Sequence, residues 1–317
     1  MDGLIAYGIF FLSFASMYAL LALGLNVQWG YTGMLNVGIA AFFAVGAYTS
    51  AILTTGTSPN HLGGFGLPFY MGFAGAMVTA GILAAAIGAI TLNLRSDYLA
   101  IASIGIAEIV RLFLKNEEWL TNGVRGIAGI PRPSAADLPI TTPQLMLLIA
   151  LILVALVYWA NERAYRSPWG RVLRAIRDNE TAARAMGKNS LVFRLQAFVL
   201  GAAVMGLAGA YYAHFIGFIS PEAFDPIFAT FIVWVMLIAG GSGNNRGAIL
   251  GAMVIWGIWT GTEFVINQLP DQYVTQGGAA RVLLIGILLQ VILILRPEGL
   301  LPGRPPKPIV GDERRRG

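Results

Sequence analysis

Long apolar stretches alternate with short polar ones along this chain, and that alternation predicts its elements. Runs at about 4–26, 34–54, 67–90, 98–114, 142–160, 192–216, 226–241, 246–266 and 279–295 read as helices able to cross a bilayer, which takes about 20 helical residues. The expected fold is all-α: a polytopic membrane helical bundle of about nine transmembrane helices. Residues 28–33 carry no charge, so a broken or re-entrant helix there changes the total to eight or ten. No hydrophilic stretch is long enough to bury a core of its own, and residues 1–317 read as a single transmembrane domain. Within it lie a polar loop at 161–192 and a basic tail at 303–317.

Composition agrees with the pattern. Hydrophobic residues make up 56% and charged ones 12%, far from the balance of a soluble domain. The run from Leu4 to Leu25 lacks a basic leader and a small-residue cleavage pattern, and is expected to be a retained span. Charge gives the orientation. Putting the 161–194 loop inside places 16 of the 21 Lys and Arg residues on the cytoplasmic side. The external segments then hold three basic residues against seven acids, as the positive-inside rule requires. The N-terminus falls outside and the C-terminus in the cytoplasm.

Eight basic residues lie between Arg163 and Arg194, and this charged segment is the best clue to function. Asp178 is read as an N-cap and Gly187 as the residue past a helix end, with Asn179 to Met186 making about two turns between them. Upstream, Val172, Leu173 and Ile176 share an apolar face opposite Arg171, Arg174 and Arg177, so a second helix is expected along the membrane surface. The plainer reading is an interfacial helix touching anionic lipid; the other is a dock for a soluble partner. Ala182, Ala183 and Ala185 form a small surface that a partner's groove can approach. Neither Gly187-Lys188-Asn189 nor Gly241 to Gly247 meets the phosphate-loop pattern. The chain is therefore expected not to be an enzyme, and any coupling to ATP requires a separate ATPase.

Glycines within spans, such as Gly247 with Gly251 and Gly257 with Gly261, are expected to let helix backbones approach closely. Glu108 is the most buried-looking charge and, with Asn36, a candidate for the translocation path; Arg111 three residues on offers Glu108 an ion pair instead. Asn36 and Asn267 have interhelical hydrogen bonding as the plainer role. His214 is expected near an external interface, solvated or packed. Two histidines and no cysteine leave no metal site to expect.

Several blocks in order carry a resemblance. They are Tyr98-Leu99-Ala100-Ile101 leading to Glu108-Ile109-Val110-Arg111, the loop Thr121 to Pro131, Gly170 to Glu180 with Ala182, Ala183 and Gly187, Ile219-Ser220-Pro221-Glu222, Gly240-Gly241-Ser242-Gly243 and Arg296 to Leu301. Through nearly its whole length the chain resembles the permease subunits of branched-chain amino acid ABC importers, of the LivH/LivM type and closer to LivM. Arg125 and Arg246 depart from the family pattern and weaken any inference about solute.

The resemblance implies a type II ABC importer permease fold in a bacterial inner membrane. It also implies a second permease subunit, cytoplasmic ABC ATPase subunits and a periplasmic solute-binding protein. ATP is then used by the partner, with no cofactor in this chain and no nucleic acid. The coupling segment it implies comprises Arg171, Arg174, Arg177, Asp178, Asn179, Glu180, Ala182, Ala183 and Gly187. Urea or a short amide remains open as solute. An ion-gradient-driven carrier is the alternative of another class, and it would want paired carboxylates near the midplane.

Overall fold

The computed structural model describes every residue except Met1, Arg95, 136–138, Asn267, Leu269 and 304–317, and leaves out the side chains of Asp2, Ser96, Val265 and 271–275. The basic tail beyond Gly303 and Asn267 thus lie outside the described residues.

Each apolar run folds as a helix because only a helix satisfies its own backbone without water. In order they are α1 (Asp2–Leu25), α2 (Ile39–Thr54), α3 (Phe69–Thr91), α4 (Ser96–Asn116), the short α5 (Glu118–Thr121), α6 (Thr142–Arg166), α7 (Pro168–Asp178), α8 (Glu180–Ala185), α9 (Ser190–Ile216), α10 (Ile232–Gly240), α11 (Asn245–Ile266) and α12 (Asp271–Leu295). All nine predicted runs carry a helix. Among the described residues, five helical stretches are both long and apolar enough to cross a membrane by themselves: Gly3–Gly30, Phe69–Thr91, Thr142–Arg166, Ser190–Ile216 and Gln276–Leu295. Their burial separates inner from outer positions. The most apolar window is 67% buried in the α1 stretch and 50% in α9, but 11% in α6 and 6% in α12. The chain thus builds around α1 and α9: α9 packs against both α2 and α3, which also pack against each other, while α1 meets α6, α9 and α11.

Two departures from regular helix matter. α1 runs into a π-helical turn, Asn26–Gly30, and a second π turn, Ile227–Phe231, precedes α10. The run predicted to begin at 34 becomes helical only at Ile39, after a stretch opened by Gly33 at φ +73. Side chains take over the hydrogen bonds lost there. Val37 N donates to Ser103 Oγ (2.9 Å), Gly38 N to Asn36 Oδ1 (2.8 Å) and Ala40 N to Thr230 Oγ1 (3.2 Å).

Close helix approach follows the small residues. A methyl group on Gly209 would collide with the Phe43 carbonyl across α2–α9, and one on Gly251 with the Met236 carbonyl across α10–α11. Gly247 lies against the Gly240 backbone, so the predicted Gly247/Gly251 contact is present. Gly257 and Gly261 are not used this way: the first would meet only the Phe11 ring at ordinary contact, the second nothing within 4 Å. At the end of the bundle opposite α7 and α8, a two-residue antiparallel ladder joins β1 (Ile127–Ala128) to β2 (Phe218–Ile219). His214 straps this end. It is fully buried, Nδ1 donates to the Pro131 carbonyl (2.6 Å), and Nε2 therefore accepts from the Ser50 hydroxyl (2.9 Å). It is a packing histidine, not a solvated one.

Gly209→Val should force α2 from α9 and cost about 1–3 kcal/mol, as overpacking does. Measured as the temperature at which detergent-solubilised protein loses monodispersity, it should melt well below the parent chain. Gly261→Ala should melt with it.

Candidate functional site: a helix pair tied to a buried polar seam

The loop between α6 and α9 is built from local signals. Ser167 caps α7, its side chain accepting from Gly170 N, and Pro168 opens the helix at a position where no N–H is needed. Gly170, Leu173 and Ile176 face inward, with Val172 only half-buried. Asp178 does not cap the next helix. α7 continues through it, and the extended backbone of Asn179 makes the break; the Asn179 side chain then accepts from Ala182 N (3.0 Å). α8 is accordingly six residues, about 9 Å. Gly187 follows it at φ +77, the left-handed turn expected of it. Of the three alanines, Ala183 is buried while Ala182 and Ala185 are exposed beside Met186.

Two of the arginines expected on the outward face bond back to backbone carbonyls, Arg174 half-buried and Arg177 still exposed. Arg177 Nη1 donates to the Gly30 carbonyl at 2.6 Å. Arg174 donates to the Tyr165 carbonyl (2.8 Å), with its guanidinium 4.1 Å from the Tyr165 ring centroid. A periodic pattern puts them on the polar face, but their long stems reach back to backbone oxygens. Arg171 remains exposed. α8 is held by Glu180, which accepts from Ser190 Oγ (2.8 Å) and Arg184 Nη2 (2.6 Å) and lies 3.6 Å from the buried Arg194. Burial disfavours the Glu180 carboxylate, yet the Ser190 bond and the Arg194 and Arg184 charges prevail and hold it below its ordinary value.

Gly30 belongs to a seam of buried amides. Asn26 accepts from Gly243 N (2.7 Å) and donates to Asn245 Oδ1 (3.0 Å), which also accepts from Tyr31 Oη (2.7 Å). Asn245 in turn donates to Glu162 (3.1 Å), and Asn161 to the Leu23 carbonyl (3.2 Å). A second branch leads toward α10. Gln28 donates to the Phe198 carbonyl (2.8 Å) and accepts from Asn36 Nδ2 (2.7 Å), while the Asn36 carbonyl accepts from Trp234 Nε1 (3.0 Å). Asn36 is fully buried and bonded at every polar atom of its side chain. Asn26, Gln28, Asn161 and Asn245 were not singled out from sequence, although amides within apolar runs are a usable signal.

Trp234 also walls a cavity of about 620 Å³ whose other sides include Leu35, Val37, Ala40, Ile104 and Phe231. Glu108 and Arg111 stand at its edge in a two-pronged pair, Arg111 Nε to Oε2 at 3.0 Å and Nη2 to Oε1 at 2.7 Å. The Glu108 side chain is 40% exposed, so it is less buried than its place in the helix implies. Lys115 and Glu222 pair at 2.9 Å beside them. Held below its ordinary value by its Lys115 hydrogen bond, Glu222 stays ionised at neutral pH.

Comparison with known proteins completes the picture. A family model described as branched-chain amino acid transport system / permease component matches residues 8–293. The high-affinity branched-chain amino acid transport system permease protein LivM of Escherichia coli K12 is 34% identical over 313 residues, covering 90% of this chain and 68% of its own length. The probable LivM of Methanocaldococcus jannaschii is 28% identical, over 91% of both chains. The LivH protein of Escherichia coli K12 is 26% identical over 92% of both. No solved structure matches. A helical membrane bundle whose sequence matches the family from the first helix to the last belongs to the branched-chain amino acid transport permeases, nearer to LivM than to LivH.

Proposed function

We propose that this chain is the permease subunit of an ATP-driven importer for branched-chain or related amino acids, energised by a separate ATPase that docks on α7 and α8. One observation carries this reading: the docking pair is bonded to the interior on both sides of the junction between its helices. Arg177 holds the Gly30 carbonyl in the turn that ends the α1 stretch, and Glu180 holds Ser190 at the start of α9, so a push on α8 reaches two helices of the packed interior. A helix serving only to sit on lipid needs neither tie.

The orientation follows the charge bias, with the N-terminus outside, the C-terminus inside and α7–α8 facing the cytoplasm of a bacterial cell. A second permease completes the path, and a periplasmic binding protein delivers the solute to the opposite end. The mechanism is alternating access. ATP closes the partner ATPases, the exposed surface at Thr181, Ala182, Ala185 and Met186 moves with them, and the amide seam passes that displacement toward Trp234 and the cavity. Asn36 acts within this seam, and Glu108 stands on the path itself. The wider coupling set comprises Arg171, Arg174, Arg177, Asp178, Asn179, Glu180, Ala182, Ala183 and Gly187. ATP is consumed by the partner alone.

Ala182→Glu with Ala185→Glu changes only exposed side chains of α8. It should leave the chain folded and in the membrane while the ATPase is lost on purification and uptake falls at least tenfold. A chain that purifies alone and moves solute in ATP-free vesicles under an ion gradient would replace the importer with a carrier. Arg177→Ala should behave differently, keeping the ATPase bound and hydrolysing while uptake per ATP drops severalfold; normal coupling in that variant would remove Arg177 from the mechanism. Because its folded pKa is depressed, Glu180 contributes its tie above the unfolded value, and the tie is lost only as pH falls through the depressed one. Uptake should therefore show no titration from Glu180 between about pH 5 and 8, a point read by comparing the pH profile with that of Glu180→Gln.

A further inference from the structure

The cavity beside α4 has two chemically different walls. Leu35, Val37, Ile104, Phe231 and Trp234 make the larger one apolar. The other is the Glu108–Arg111 pair, which an apolar cavity ordinarily lacks. Charges within membrane helices are costly and concentrate where they meet a solute or another charge. A pair needed only to neutralise itself does not require a cavity of about 620 Å³ at its side, a size within the range that holds small molecules.

We infer that this cavity is a recognition subsite for the zwitterion of an amino acid with an apolar side chain, with Arg111 taking the carboxylate, Glu108 the ammonium and the apolar wall the side chain. The inference rests on the importer reading and names the chemistry of its path. Arg111 spends Nε and Nη2 on Glu108, while Nη1 is ion-paired with Glu222 at 3.6 Å, too long for a hydrogen bond, so an incoming carboxylate competes for it only with that looser contact. Each Glu108 oxygen accepts one bond from Arg111; a carboxylate has about four acceptor positions, so both oxygens retain room for an ammonium. The pair thus shows a donor edge and an acceptor edge side by side, the complement of an α-amino acid. A solute with a charged side chain meets the apolar wall instead of water.

The test uses the intact transporter in proteoliposomes, without nucleotide, and follows the fluorescence of Trp234 against a Trp234→Phe control. The probes are L-leucine, its amide (a cation) and 4-methylpentanoate (an anion). Leucine should give a saturable change, with the amide and the acid at least tenfold weaker. Arg111→Gln and Glu108→Gln should each weaken leucine about ten- to a hundredfold, the range for losing a bond to a charged group. Exchanging the pair, Glu108→Arg with Arg111→Glu, restores an ion pair and folding yield but should not restore leucine affinity. Equal binding of the three probes, undiminished leucine binding in Arg111→Gln, or full recovery in the exchanged pair would each overturn the subsite and leave a structural salt bridge. ATP-driven uptake by the parent chain, measured alongside, separates the two ideas. If uptake proceeds while the subsite variants take up leucine normally, the subsite fails and the importer stands. If the parent shows no ATP-driven uptake, both fail.

Discussion

A bilayer offers no water to a polar group, so every amide in the interior must find its partner within the bundle. In this chain that constraint falls most heavily on the turn at Asn26–Gly30. The turn is π-helical, a local widening that is rare and frequently found at functional sites. It brings Asn26, Gln28 and the Gly30 carbonyl into contact with four other parts of the chain: the Gly243 turn, Asn245 at the start of α11, Phe198 on α9 and Arg177 on α7. Without these partners the turn would leave buried amides unsatisfied, at about 1–3 kcal/mol for each group. The seam therefore fixes where α7 sits, where the α10–α11 turn closes and how the extended stretch before α2 lies.

The same bonds give the proposed mechanism its route. The guanidinium of Arg177 joins the proposed cytoplasmic end to α1, while Gln28 and Asn36 join α1 to Trp234 and the cavity wall. The second π turn, Ile227–Phe231, supplies Thr230 and Phe231 to that wall. One widened turn thus lines the cavity, while the other is joined to its wall through Gln28, Asn36 and Trp234. Gly209 against Phe43 and Gly251 against Met236 bring neighbouring helices into close backbone contact.

The spans were legible because burial in lipid demands long uniform apolar runs, and the boundaries of α3, α6 and α9 lie within a few residues of the pattern, although α6 runs on to Arg166. The break before Ile39 was not, because apolar residues there stay apolar whether the backbone is helical or extended. Close packing at Gly247 and Gly251 was readable, whereas Gly257 and Gly261 have identical spacing and open surroundings. Spacing says that a helix can be approached, not that anything approaches. The cap is displaced by one residue for a similar reason: Asp178 and Asn179 are both good caps, and α7 continues through the first to break at the second. The inward reach of Arg174 and Arg177 depends on which carbonyls lie within a side chain's length, and no periodicity encodes that. Branched-chain permease membership was legible throughout, since ordered motifs survive where individual contacts cannot be foreseen.

The central claim is that displacement at α8 reaches the cavity through Arg177 and the seam. The chain has no cysteine, so spin labels can be placed at Ile104→Cys and Phe231→Cys, both exposed and both on the cavity wall. Their separation in the assembled transporter would be measured with and without trapped ATP. The account predicts a nucleotide-dependent change in that distance, and its loss in Arg177→Ala while the ATPase still binds and closes. A cavity that opens and closes unchanged in Arg177→Ala would contradict it.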